Sequence, residues 1–292
     1  MTEAALPGPV GVVGLGTMGL GMARTLRRKG FTVVGLDPSP GRRALAAESG
    51  VTPLADARAV ATAAPVLLLS LPTGADVAAV VAASGLAGGG ARRVVVDTTT
   101  SDPGTSRRLA EMLARAGHGF LDAPVSGGVA GAEGGTLSMM VGGAADDLAF
   151  ARPVVDAVAA SVHHVGASGA GNVAKLVNNL MVAAHIALTA EALSLARAAG
   201  VDPAAALAVV NASTGRSRMS EGPFVEQVLT GRFASGFTMG LMRKDVALAA
   251  ALAAETGADL PIAALVARLW DESKARLADR EDFLRMGSLQ AR

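Results

Sequence analysis

The chain has 292 residues, long enough for a sizeable core and two domains. Its 26 basic and 25 acidic residues leave a formal net charge of +1, which gives no general electrostatic reason to expect a nucleic acid as partner. There is no cysteine, so disulfides, thiolate metal sites and a cysteine nucleophile are excluded, and the composition fits a reducing cytoplasm.

The N-terminus, MTEAALPGPVGVVG, lacks a basic region followed by an apolar core and cleavage site, so a cytoplasmic protein without a signal peptide is expected. Val10 to Val13 is a short apolar run that ends in Gly14-Leu15-Gly16-Thr17-Met18-Gly19. Leu20 to Lys29 then reads as a helix closed by Gly30, and Phe31 to Leu36 as a second strand ending at Asp37. Strand, glycine turn, helix, strand and acid in this order form a dinucleotide-binding fingerprint in its required context. One glycine permits the tight turn, one lets a pyrophosphate approach the backbone, and the third lets helix and strand pack closely. An acid at the position of Asp37 accepts hydrogen bonds from an adenosine ribose and repels a 2′-phosphate, which favours NAD and leaves NADP possible. Arg42 and Arg43 could reach such a phosphate if the loop folds back; the preferred reading makes them solvated residues in the first turn of the next helix.

Val66 to Leu71, bounded by Pro65 and Pro72, suits a strand buried on both faces. Val94 to Val96 follows and runs into Asp97-Thr98-Thr99-Thr100, then a helix from about Pro103 to Ala116. Ligands sit beyond the carboxyl ends of parallel strands, so Leu71-Pro72-Thr73 and the threonine triplet are candidates for cofactor contact. Thr100 to Asp102 can equally cap the helix. Phe120 to Val125 opens Asp122-Ala123-Pro124-Val125-Ser126-Gly127-Gly128, and Gly134 to Gly143 reads GGTLSMMVGG. Bare backbone N–H groups beside a serine hydroxyl make a small neutral cradle suited to a carboxylate, although glycines there also serve as plain turn formers. His163 and His164 have no partner at ligand spacing, so they read as ordinary strand-end residues and no metal is expected.

After Gly169 the texture changes from strands alternating with helices to helices alone. Gly169 to Asn179, GAGNVAKLVNN, opens a long apolar helix on which Lys175 and Asn179 lie four residues apart and share a face. Lys175 either snorkels to solvent or meets a ligand together with the amide. The mean hydropathy of the chain is high, at +0.42, and Leu176 to Leu195 has the length of a bilayer span. Asn178, Asn179, His185 and Glu191 would be costly in hydrocarbon, so a helix buried in a large core or an oligomer interface is expected instead of a membrane segment. Further helices are expected over Pro203 to Ala212, Gly222 to Thr230, Lys244 to Thr256 and Pro261 to Leu277. The domain boundary falls near Val165 to Gly171, giving a dinucleotide-binding domain over residues 1–167 and a helical substrate and oligomerisation domain over 168–292.

Four of these segments, taken together, resemble the β-hydroxyacid dehydrogenases, the group of 3-hydroxyisobutyrate, tartronate semialdehyde and L-threonate enzymes. GLGTMGLGMARTL at 14–26 is similar to the family's cofactor signature, and DAPVSGG at 122–128 with GTLSMMVGG at 135–143 to its substrate signature. GAGNVAKLVNN at 169–179 is similar to its catalytic signature and LMRKD at 241–245 to its C-terminal lysine motif. Arg243 stands where many members carry alanine, and NASTGRS at 211–217 looks closest to the 3-hydroxyisobutyrate branch. The resemblance implies an α/β Rossmann-type N-terminal domain followed by an all-α C-terminal domain, joined by a long helix often buried between subunits. A homo-oligomer is therefore expected. It also implies that Lys175 is the catalytic lysine, that Ser126, Gly127 and Gly128 cradle the substrate carboxylate, and that Asn179 holds substrate. Gly14 to Gly19, Asp37, Leu71, Pro72, Thr100 and Lys244 are the implied cofactor contacts.

The expected reaction is the reversible oxidation of a β-hydroxy acid with Lys175 as general acid and base. Free lysine titrates near about 10.4, so a lysine base working near neutrality must have its pKa lowered by burial or a positive neighbour. The enzymatic alternatives share the platform. A related imine or semialdehyde reductase is one; imine reductases of this fold typically lack the lysine, and an enzyme like 6-phosphogluconate dehydrogenase wants a basic phosphate pocket and a longer chain. A non-catalytic NAD(P)-binding module would have no need of an intact lysine and asparagine pair. The residues facing the variable end of the acid are expected from the C-terminal helices, near Asn211 to Arg218, Phe224 and Phe237.

Overall fold

The computed structural model describes residues 8–288. The chain divides into two compact units, the first ending at Lys175 and the second beginning at Leu176.

The first unit is an α/β sandwich. Strands β1 (Val10–Val13), β2 (Val33–Leu36), β3 (Thr52–Pro53), β4 (Val66–Leu69), β5 (Val94–Asp97) and β6 (Gly119–Asp122) pair in parallel in the order β3-β2-β1-β4-β5-β6. This order reverses between β1 and β4, the switch point at which a crevice opens outside the carboxyl ends of the strands. β1, β4, β5 and β6 are buried at every position, which is why they read as continuous apolar runs rather than alternating ones.

Helices α1 (Thr17–Arg28), α2 (Pro40–Glu48), α3 (Ala57–Ala63), α4 (Gly74–Ser84) and α5 (Pro103–Arg115) make the crossovers. Their starts are written in the sequence: Ser39, Asp56, Thr73 and Asp102 each accept a first-turn N–H, and Pro40 and Pro103 occupy positions where no N–H is required.

Beyond β6 the sheet changes character. Strand β7 (Val125–Ser126), the short helix α6 (Gly128–Gly134), β8 (Leu137–Gly142), α7 (Ala145–Val158) and β9 (Ala159–Gly166) follow. β8 runs antiparallel to β6 and β7 and parallel to β9, so the nine-stranded sheet ends in a mixed edge. GGTLSMMVGG is therefore mostly a strand and not a second glycine cradle.

Helix α8 (Ala170–Ala198) is one unbroken helix of 29 residues that carries the chain from the first unit into the second. By length and composition it could cross a membrane, and 28% of its apolar stretch is buried within the chain. Within the chain, one face of this helix is buried in a core. Ala183, Ile186, Ala190 and Leu193 enter the core of the second unit, while Val177, Met181, Leu188 and Leu195 are 52%, 54%, 65% and 72% exposed.

The second unit is helical. It adds α9 (Pro203–Asn211), α10 (Arg218–Glu221), α11 (Met239–Thr256) and α12 (Pro261–Glu272), packed around fully buried Trp270 and Phe224. The helix expected over Gly222 to Thr230 is a π-helical segment, Phe224–Val228, entered through Pro223.

Arg243, which departs from the family pattern, is a structural hub of this unit. Its guanidinium is buried and donates to the carbonyls of Trp270 (3.2 Å) and Leu277 (2.9 Å), to Ser273 Oγ (2.8 and 3.1 Å) and to Asp279 (2.6 Å).

Candidate active site

The first cluster of functional residues lies beyond the carboxyl ends of the parallel strands. After β1 the chain turns at Gly14, whose φ of +88° suits glycine; a side chain there would also run into the carbonyl of Ser70. A side chain at Gly19 would strike the Gly14 carbonyl, so this glycine lets α1 pack closely on the turn. A Cβ at Gly16 would meet nothing within 4 Å, which leaves its backbone approachable. No side chain caps α1, so its first-turn amides and the positive end of its dipole remain for an anion.

Asp37, at the end of β2, is buried with both oxygens engaged: Oδ2 accepts the Leu15 N–H at 2.8 Å and Oδ1 the Ser39 N–H at 2.8 Å. A carboxylate has about four acceptor positions, so room remains for ribose hydroxyls. Arg43 lies in the first turn of α2, as expected, half-buried, with its guanidinium folded back to donate to the carbonyls of Asp37 (2.7 Å) and Pro38 (3.0 Å).

The loops after β4 and β5 are joined by threonines. Thr98 Oγ1 donates to the Leu69 carbonyl at 2.7 Å, and Thr99 Oγ1 accepts the Leu71 N–H at 3.1 Å. Leu71 is thereby tied to the residue that precedes Thr100. Thr99 is a holding residue that motif matching passes over, although its threonine neighbours mark the loop.

After β6 come Ser126, which pairs with Ser138 across β7 and β8, and then Gly127 and Gly128, both exposed and with φ of +125° and +61°. Two successive glycines in this region turn bare backbone outward next to the serine hydroxyl, the arrangement of a small anion nest. Asp122, at the base of this loop, is fully buried. Its carboxylate accepts the N–H groups of Gly169 (2.7 Å) and Asn172 (2.8 Å) at the start of α8. Burial raises its pKa above the ordinary carboxylate value, with the amide hydrogen bonds pulling the other way. Lys175, one turn further along α8, is 8% exposed, so it does not snorkel to solvent.

The second cluster lies in the helical unit. Asn179 is buried and donates through Nδ2 to Asp245 Oδ2 at 2.6 Å, while its own Oδ1 accepts from Asn178 at 3.0 Å. Lys244 Nζ lies 2.9 Å from Asp245 Oδ1 as an ion pair without hydrogen-bond alignment. Asp245, which the motif contains but to which sequence reasoning gives no role, therefore links the predicted Asn179 and Lys244. Asn211, expected nearer the variable end of a substrate, holds the Ser220 carbonyl at 2.9 Å. Ser217 and Ser220 cap α10 reciprocally.

Comparison with known proteins decides the family. Residues 9–166 match the NAD binding domain of 6-phosphogluconate dehydrogenase, and residues 169–289 match the NAD-binding domain of NADP-dependent 3-hydroxyisobutyrate dehydrogenase. The chain belongs to the β-hydroxyacid dehydrogenases. Among its relatives is the 2-(hydroxymethyl)glutarate dehydrogenase of Eubacterium barkeri, 34% identical over 94% of this chain and 92% of that protein. The 3-hydroxyisobutyrate dehydrogenase of Pseudomonas aeruginosa is 36% identical over 89% and 90% of the two chains. A solved structure of the Mycobacterium tuberculosis 3-hydroxyisobutyrate dehydrogenase with L-serine superposes with a TM-score of 0.89 at 33% identity, over 96% of this chain and 98% of that one.

This β-hydroxyacid dehydrogenase is thus an NAD(P)-dependent oxidoreductase acting on the CH–OH group of a hydroxy acid. Its residues fit the dinucleotide on the structure's own terms. The turn at Gly14–Gly19 has open backbone and uncapped helix amides that suit a pyrophosphate, and the Asp37 carboxylate at the end of β2 keeps acceptor positions that suit ribose hydroxyls.

Proposed function

We propose that this enzyme oxidises a 3-hydroxyisobutyrate-like β-hydroxy acid to its semialdehyde or keto acid, and catalyses the reverse, with Lys175 as the proton carrier. The observation that carries the reading is a buried lysine one helical turn beyond Asn172, whose backbone and side chain are bonded to the loops after β6 and β5. When bound, the nicotinamide cofactor supplies the hydride acceptor. The chain's own residues do the rest. Ser126 and the amides of Gly127 and Gly128 hold the substrate carboxylate, and Asn179 orients the hydroxyl-bearing carbon. Lys175 in its neutral form removes the hydroxyl proton; protonated, it polarises the carbonyl and donates in the reducing direction.

In this reading, residues 1–167 hold the cofactor, with Gly14, Leu15, Gly16, Thr17, Met18 and Gly19 around the pyrophosphate and Leu71, Pro72 and Thr100 lining the loops. Residues 168–292 serve substrate and assembly, and Lys244 closes on the cofactor. NAD is the preferred cofactor, because the Asp37 carboxylate repels a 2′-phosphate and the backbone carbonyls of its own loop already occupy Arg43. The cysteine-free composition suits a reducing cytoplasm.

The direct test is cofactor reduction against a panel of 3-hydroxy acids including 3-hydroxyisobutyrate, L-threonate, glycerate and L-serine, run with NAD and with NADP. Turnover with at least one of these acids, faster with NAD, is expected. No turnover with any would overturn the substrate class, and a strong NADP preference would overturn the role of Asp37.

The exposed apolar side chains of α8 support a homo-oligomer. Met181, Leu188 and Leu195 recur every seven residues and form a single stripe along the helix, a pattern that suits packing against another helix. Light scattering at micromolar concentration is expected to give a dimer or larger; a monomer contradicts this proposal.

A further inference from the structure

Asp122 and Asn172 form a hydrogen-bond clamp around the first turn of α8. Asn172 is fully buried; its Oδ1 accepts the Ser101 N–H at 2.9 Å, and its Nδ2 donates to Ser106 Oγ at 3.0 Å and Ser101 Oγ at 3.3 Å. Its own N–H and that of Gly169 both reach the Asp122 carboxylate. The backbone between them sits flush against the sheet. A Cβ at Gly142 would lie 2.6 Å from Asp122 Oδ1 and 2.7 Å from the Gly171 nitrogen, and one at Gly171 would lie 2.9 Å from the Gly142 nitrogen.

This is an expensive way to secure a helix. The hydrogen-bond partners of the Asp122 carboxylate in the structure are backbone amides, and its pKa is shifted by burial and by those amides, with no cation among the causes. Packing alone would be served as well by an apolar side chain of similar size. An anion bonded to helix N-terminal amides instead fixes both the axial position and the rotation of the helix. Lys175 follows Asn172 by three residues and so lies on the same face one turn on. Ser126 follows Asp122 by four residues in the loop that leaves β6, and Ser101 belongs to the loop that leaves β5.

We propose that Asp122 and Asn172 are positioning residues that hold the first turn of α8 so that the Lys175 amine is kept in register with the carboxylate cradle and the loop after β5. Neither touches substrate; both act through the lysine. The inference rests on Lys175 being the proton carrier.

Two variants of the full-length enzyme test it. Asp122→Asn keeps the volume but offers one acceptor oxygen where two N–H groups now bind, and turns an NH2 group toward the other. Asn172→Ala keeps the N–H bonded to Asp122 and removes only the links to Ser101 and Ser106. At saturating substrate and cofactor, kcat is expected to fall about 100-fold in the first and about 10-fold in the second, as for a catalytic group displaced by a fraction of an ångström to an ångström. The dissociation constant for NADH, measured by fluorescence titration, and substrate KM both change less than kcat. The solvent deuterium isotope effect on kcat rises, because proton transfer becomes slower than the remaining steps; a loss of folded enzyme would lower kcat without moving it.

Wild-type kcat in both variants overturns the proposal, and so does a fall in kcat with an unchanged isotope effect. If Asp122→Asn does not fold, Asn172→Ala decides by the same three measurements. Lys175→Ala separates the two levels. Activity retained there removes the lysine assignment and the clamp with it, whereas an inactive Lys175→Ala beside fully active clamp variants removes the clamp alone.

Discussion

Replacing Lys175 by alanine is expected to lower kcat for hydroxy-acid oxidation by about 10²- to 10⁴-fold, the usual contribution of a positioned general acid or base. Binding of NADH should be unaffected, because the turn at Gly14–Gly19, Asp37 and the loops after β4 and β5 are bonded to one another without the lysine. The first turn of α8 is tied to Asp122 and Ser101 through Gly169 and Asn172 and not through the lysine itself, and the NADH titration reports on the scaffold. Lys175→Arg is the sharper companion. A guanidinium keeps its charge throughout the accessible pH range and cannot take a proton, so this variant should be as inactive as alanine in the oxidising direction. Steady-state kinetics with a parallel NADH titration settle both, and turnover that survives with intact binding would falsify the assignment.

The largest effect on stability is expected at Arg243. Its guanidinium satisfies the carbonyls of Trp270 and Leu277, near and beyond the end of α12, and is tied by two contacts to Ser273 Oγ. Arg243→Ala takes the donor from the Leu277 carbonyl and leaves Ser273 Oγ as the remaining side-chain donor to the Trp270 carbonyl, and it opens a void beside the unit's only tryptophan, so a loss of about 2 to 4 kcal/mol is expected. Asp279 has a largely exposed side chain, so losing its partner adds little. Arg243→Lys should fall between, since an ammonium reaches fewer of these acceptors at once than the planar fork does. Chemical denaturation followed by tryptophan fluorescence reads the effect directly, because Trp270 packs in the affected core and its indole N–H is bonded to the Ala183 carbonyl at 3.3 Å. An unchanged midpoint for Arg243→Ala would show that the network is dispensable.

Much of the first unit is legible in the sequence because its signals are local. The glycine spacing at Gly14, Gly16 and Gly19, the apolar runs of β1, β4 and β5, and caps such as Asp102 each depend on neighbours a few residues away. The mixed sheet edge is not legible in the same way. Leu137 to Gly142 follows Gly134-Gly135, ends in a glycine and has a serine within it, so composition suggests a loop, and only pairing with β7 and β9 makes it a strand. The one-sided burial of α8 is equally hidden, since its sequence is apolar all round and the exposed stripe appears only once Ile186, Ala190 and Leu193 have chosen the core.

In the site, motif residues are visible and the residues that hold them are not. Asn172 lies inside the motif with Lys175 but earns attention only through Ser101 and Ser106, 71 and 66 residues away. Arg43 shows the same limit, because its place in a first helical turn is legible while the two carbonyls that receive its guanidinium are not. Asp245 follows Lys244 directly in sequence, yet its second partner, Asn179, is 66 residues distant.

The two backbone bonds of Asp37 have a consequence for redesign. Exchanging this acid for a residue without a side-chain acceptor, in order to admit a phosphorylated ribose, also withdraws the acceptor that holds the Leu15 amide. Selectivity and the shape of the pyrophosphate turn are therefore inherited as one trait. A switch of nucleotide that keeps the turn intact calls for a replacement that is neutral yet still accepts the Leu15 N–H.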